Sequence, residues 1–81
     1  MALDCGWEEV QGFRSLDEYK TTLARLTEQV RSGHAARVDL DPTKRWGTAF
    51  DEQWFQCRLG GPIWRLVAPD PPFPGIFKPI N

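Results

Sequence analysis

The stretch SLDEYKTTLARLTEQVRSG, residues 15–33, constrains the fold more than any other part of this chain. Ser15 followed by Glu18 is a capping box, in which the serine hydroxyl accepts from the backbone N–H of position 18 and the glutamate reaches back. Asp17 and Glu18 complement the positive end of a helix dipole. Leu16, Tyr19, Leu23, Leu26 and Val30 fall in a sector of about 80° on a helical wheel, and every charged residue lies outside it. Arg31 in the last turn and Gly33 just beyond it are stop signals, and Glu28 can pair with Arg31 one turn on. The spacing predicts a helix over 15–32. A one-sided stripe must lie on another surface, and in 81 residues only about 60% of the extended chain's surface can be buried. One thin core is expected, with one helix against one sheet in a single domain spanning 1–81.

The sheet is read from alternation and from a glycine pair. Ala36, Val38 and Leu40 alternate with Arg37, Asp39 and Asp41 and predict a strand near 36–41, ended by Pro42. The runs DEQWFQCRL and PIWRLVA flank Gly60 and Gly61 and predict a tight hairpin with strands near 52–59 and 62–68. If Leu59 faces Pro62, then Cys57 faces Trp64 and Phe55 faces Leu66, all toward the helix. Trp54, Gln56, Arg58, Ile63, Arg65 and Val67 then occupy the opposite, solvent-facing side; a one-residue slip would exchange the two faces. Pro71 and Pro72 exclude a central strand after Ala68, so PDPPFPGIFKPI is expected to run as a strap pegged by Phe73, Ile76, Phe77 and Ile80. Trp7, Val10 and Phe13 are expected to form an apolar strap before the helix. The resulting class is α+β: one amphipathic helix on a three-stranded antiparallel sheet, with a proline-rich C-terminal strap.

Composition limits the chemistry. At 41% hydrophobic and 26% charged, the chain belongs with globular rather than disordered sequences. A net charge of −1 lacks the basic surplus that phosphate binding draws on, so no nucleic-acid partner is expected. A small nucleic-acid-binding accessory domain remains the alternative, because Trp54 beside Arg58 and Arg65 could stack on bases. No apolar run approaches the roughly 20 residues of a membrane span, and no signal peptide is visible before Trp7.

Cys5, Cys57 and His34 supply at most three ligands, short of the four of a closed zinc site, so neither metal nor cofactor is expected. A disulfide between the two cysteines is geometrically open, but spacing does not decide it. The default is a cytoplasmic protein with buried free thiols. Cys57 with His34 makes a poor nucleophilic dyad, because Cys57 is expected in the core. The pairs Asp39 with Asp41 and Asp51 with Glu52 read as solvated charges rather than paired catalytic carboxylates. No enzyme is expected: an acid–base or nucleophilic site needs several groups converging in a pocket.

Protein recognition fits these residues best. Tryptophan and arginine are enriched at binding hot spots. The loop TKRWGTAF offers Trp46, and the outer sheet face offers Trp54, Arg58 and Arg65. Asp39, Asp41, Asp51 and Glu52 would form a charged rim. The proline segment alone could serve as a polyproline ligand, but its apolar residues favour docking on the chain's own sheet.

Residues 13–80 resemble small bacterial immunity proteins of polymorphic toxin systems, delivered by Rhs-type, contact-dependent or type VI routes. The resemblance is carried by FRSLDEYKTTLARLTEQVRSG, by WFQC, and most specifically by W-R-L-V-x-P-D-x-P-F-x-G-x-(aromatic) at residues 64–77. Relatives usually carry tryptophan at the position of Phe77. The resemblance implies a cytoplasmic antitoxin that binds one cognate toxin domain stoichiometrically and has no catalytic residues.

Overall fold

The computed structural model describes residues 5–46 and 50–80; the middle of the expected loop, 47–49, and the start of the lead-in, 1–4, lie outside them. The expected helix is present as α1, Leu16–Arg31, capped by Ser15, whose hydroxyl accepts from Glu18 N at 3.1 Å. Glu18 reaches back one residue further than a capping box requires, its carboxylate accepting from Arg14 N at 3.2 Å. At the other end His34 N donates to Gln29 O and Gly33 N to Val30 O, with Gly33 at φ 87°. That is the paired bonding of a Schellman motif, which uses the left-handed backbone glycine tolerates. Glu28 and Arg31 form the anticipated surface ion pair. Of the apolar stripe, Leu26 and Tyr19 are buried, whereas Leu16 is exposed at the helix start.

The sheet has four strands in the order β1-β2-β3-β4. These are β1 Ala35–Val38, β2 Glu52–Cys57, β3 Ile63–Val67 and β4 Ile76–Pro79, and every neighbouring pair is antiparallel. The expected three strands plus strap are therefore corrected to four, because the end of the strap is itself an edge strand. Pro79 is tolerated there for a geometric reason. Phe77 exchanges both backbone bonds with Val10 of the lead-in, so odd-numbered residues of β4 point away from β3, and Pro79 sits where no N–H is needed for the ladder. The segment before it is a closed turn: Asp70 N donates to Phe73 O at 2.9 Å and Phe73 N to Asp70 O at 2.8 Å, around a cis Pro71–Pro72 bond. It is not an extended polyproline ligand.

The β2–β3 hairpin keeps its predicted faces but not its register. Phe55 pairs with Trp64 and Gln53 with Leu66, a shift of two positions from the pairing expected of a two-residue turn. The connection is longer, 58–62, with Gly60 and Gly61 both at positive φ. An even shift leaves each side chain on its own face, so Phe55, Cys57 and Leu66 still join Trp7, Phe13, Tyr19, Leu26, Ala35 and Phe77 under the helix.

The opposite face is not open. Trp54, Val67 and Ile76 are buried there as well. Between β1 and β2 the chain makes a short 3-10 turn, Pro42–Lys44, and crosses this face. Asp41 caps the turn, so β1 ends at Val38, and Asp39 and Asp41 lie beyond it rather than along one strand face.

Cys5 and Cys57 are joined by a disulfide across a sequence separation of 52, correcting the expectation of free thiols. The lead-in places Cys5 beside Cys57, and Trp7 packs edge-on against Trp64 and Phe77. Among the described residues no helix is long and apolar enough to cross a membrane.

Candidate functional site

Glu52 organises the outer layer. Its side chain stands on β2, 4% exposed, and receives three groups. Trp54 Nε1 donates to Oε2 at 2.7 Å, the backbone N of Trp46 donates to Oε1 at 2.7 Å, and Arg65 Nε lies 3.5 Å from Oε2. Arg65 Nε has no hydrogen-bond partner, so that contact is an ion pair only. A carboxylate this deep is tolerable because it is paired and hydrogen-bonded. Arg65 also donates from Nη2 to Lys44 O at 2.7 Å. The crossing segment is thus held to the sheet at two points, Lys44 O and Trp46 N.

Those two points present Trp46. Its ring stacks on Phe73 with centroids 5.9 Å apart, and Phe73 in turn contacts Phe50 at 4.7 Å. The guanidinium of Arg65 lies 5.6 Å from the Trp46 ring centroid and the ammonium of Lys78 5.1 Å, both within cation–π range. Trp46 nonetheless remains 40% exposed. Two adjoining clefts share Arg65 and Ile80. One, of ≈ 370 Å³, is lined by Glu9, Trp46, Lys78 and Pro79; the other, of ≈ 440 Å³, by Lys44, Trp54 and Ile63. The arrangement is an aromatic and cationic groove over a floor held by Glu52 and Arg65.

The residues expected to bind a partner therefore separate. Trp46 and Arg65 lie in the groove. Trp54, expected to face solvent, is 4% exposed because the crossing segment covers it. Glu52, expected on a charged rim, is the buried hub. Arg58 stands apart in the exposed 58–62 connection, its backbone N bonded to His34 O, because β2 ends one residue before it. Asp39 and Asp51 are exposed, and Asp51 O accepts from Ala68 N. Asp41 is occupied locally. The Thr43 hydroxyl, and then the Thr43 backbone N–H, donate to its Oδ1 and hold its carboxyl below the usual carboxylate range.

Sequence reasoning missed Lys44 and Lys78, and read Phe73 as a packing peg without its contact to Trp46. Lys78 was discoverable once the strap is read as a strand, because even-numbered positions of β4 share a face with Trp54 and Arg65. Among the described residues no group of three His, Cys, Asp or Glu side chains could hold a metal ion. No family model, curated protein or solved structure matches the chain.

Proposed function

We propose that the chain is a neutralising binding domain, an antitoxin that occupies one cognate toxin domain stoichiometrically through the Trp46 groove. The observation that carries the reading is Trp46 itself: an indole left 40% exposed while its backbone and ring are fixed from beneath by Glu52, Phe73 and two cations. A large ring that is already ordered loses little entropy on docking, which is the property of a hot-spot anchor. The resemblance of residues 13–80 to immunity proteins supplies the class of partner. Trp54 and Glu52 serve this reading as supports of Trp46, not as contacts.

The test is to read the gene immediately upstream for a toxin domain, whose absence would count against the reading, and to co-express that domain with this chain and titrate the purified pair. One-to-one binding is expected, and Trp46→Ala should weaken it by more than about 2 kcal/mol with the fold intact. No binding to that domain, or binding indifferent to Trp46→Ala, refutes the reading. The cytoplasmic setting implied by the resemblance would keep Cys5 and Cys57 as thiols, whereas an oxidising compartment would preserve their bond. Alkylation of free thiols in intact cells before lysis distinguishes the two.

A further inference from the structure

The groove inverts the charge of the molecule around it. The chain carries a net charge of −1, yet Lys44, Arg65 and Lys78 line the two clefts that share Arg65 and Ile80, with Glu9 as the acidic lining residue. Arg65 is matched by Glu52 beneath it. Lys44 and Lys78 are not matched: among the described residues the ion pairs are Arg31 with Glu28 and Arg65 with Glu52. The cleft of Lys44 is also lined by Ile63 and Ile80, and the cleft of Lys78 by Ile80, Pro79 and the exposed indole of Trp46.

From this juxtaposition we infer that the groove takes an acidic protein segment, with carboxylates on either side of an aromatic or aliphatic side chain. The carboxylates meet Lys44 and Lys78, and the apolar side chain rests against Trp46 and Ile80. Charge complementarity selects this occupant over a nucleic acid. A strand of phosphates needs a continuous cationic track, whereas the two clefts offer Lys44, Lys78 and an Arg65 already paired with Glu52. Lys44 in one cleft and Lys78 over the Trp46 ring in the other, each beside apolar lining, suit a short acidic motif that ends within the groove.

The inference rests on the reading of this face as the partner-binding surface, but its test does not require the toxin. The probe is a short synthetic peptide of glutamate and aspartate around one phenylalanine, titrated into the full chain at low salt and followed by tryptophan fluorescence. Trp46 is the most exposed reporter. The controls are the same peptide with glutamine and asparagine in place of the acids, and a uridine oligonucleotide.

The acidic peptide should bind and the amide peptide should not. Lys44→Glu with Lys78→Glu should weaken binding at least ~10-fold, and rising salt should weaken it in the wild type. Should charge reversal disturb β4, Lys44→Gln with Lys78→Gln should still lower affinity severalfold. Equal binding of both peptides, absence of acidic-peptide binding, indifference to the lysine changes, or tighter binding of the oligonucleotide would each overturn the inference. Acidic-peptide binding alongside a neighbouring domain that does not bind would sink the toxin reading and leave this one standing; the converse would do the opposite.

Discussion

Replacing Glu52 by glutamine tests whether the outer layer is held by one buried carboxylate. The substitution preserves shape but turns an acceptor oxygen into an NH2 group. That group must face either Trp46 N or Trp54 Nε1, each of which now donates at 2.7 Å, so one donor is left unpaired at a cost of about 1–3 kcal/mol. The guanidinium of Arg65 also loses its counter-charge while its side chain is only 11% exposed. Breaking a buried pair from one side typically costs about 3–5 kcal/mol, and we expect a total in that range. A domain of 81 residues has about 4–12 kcal/mol to lose, so the urea midpoint should fall by roughly 2 M. The Trp54 indole N–H resonance should shift, and Trp46 should become more accessible to iodide quenching. A loss below about 1 kcal/mol with the Trp54 indole resonance unmoved would refute the hub.

Three further outcomes follow from the same coordinates. Cys5→Ser opens a loop closed across a separation of 52, for which the chain-entropy relation gives about 4 kcal/mol of lost stability; urea unfolding of the variant should match that of the reduced wild type. Gly75→Ala should cost at least about 2 kcal/mol by thermal unfolding, because the residue sits at φ +81° and a Cβ would meet Val67 O at 2.8 Å and Phe13 Cδ2 at 2.9 Å. The phenol of Tyr19 is raised above its usual value of 10.0 by burial and then by the charge of Asp51. The folded state therefore favours the neutral phenol, and this contribution is full below pH 10.0 and lost as pH rises through the folded value. Tyr19 is the single tyrosine, so the tyrosinate absorbance reports it alone, and Asp51→Asn should move its midpoint down.

The inner half of the structure was readable from the sequence because periodicity reports it directly. The stripe from Tyr19 to Val30 and the parity of Phe55, Cys57 and Leu66 depend on spacing, and parity survives any even error in register. The outer half was not readable for a different reason. Glu52 looks like a rim charge in any one-dimensional pattern, and only the return of the chain through Trp46 makes it a buried acceptor. The same return covers Trp54, which alternation alone assigns to solvent. Pro71 and Pro72 do exclude a central strand, and they lie in the turn before β4; they say nothing of an edge strand from Ile76 to Pro79, where Pro79 occupies a site whose N–H would point away from β3. The disulfide depends on where the lead-in travels, which no spacing rule encodes.

A sheet with both faces buried is demanding for a chain this short, since each face receives only a thin layer of apolar contacts. Here the two layers are secured by different means. On the helix side the Cys5–Cys57 bond ties the lead-in to β2, and Trp7 fills the space beside Trp64. On the other side the layer is fixed by polar contacts to Glu52 and Arg65, and it closes with a tryptophan only partly covered. That asymmetry bears on the proposed binding role. A layer sealed by hydrophobic packing alone would draw Trp46 inward, whereas pinning the backbone at Trp46 N and Lys44 O sets the path of the segment and leaves the ring at the surface. The same contacts that make Glu52 intolerant of substitution therefore keep the indole at the surface, so under the proposed binding role any loss of affinity in Glu52 variants should track the loosening of Trp46 rather than the removal of a direct contact.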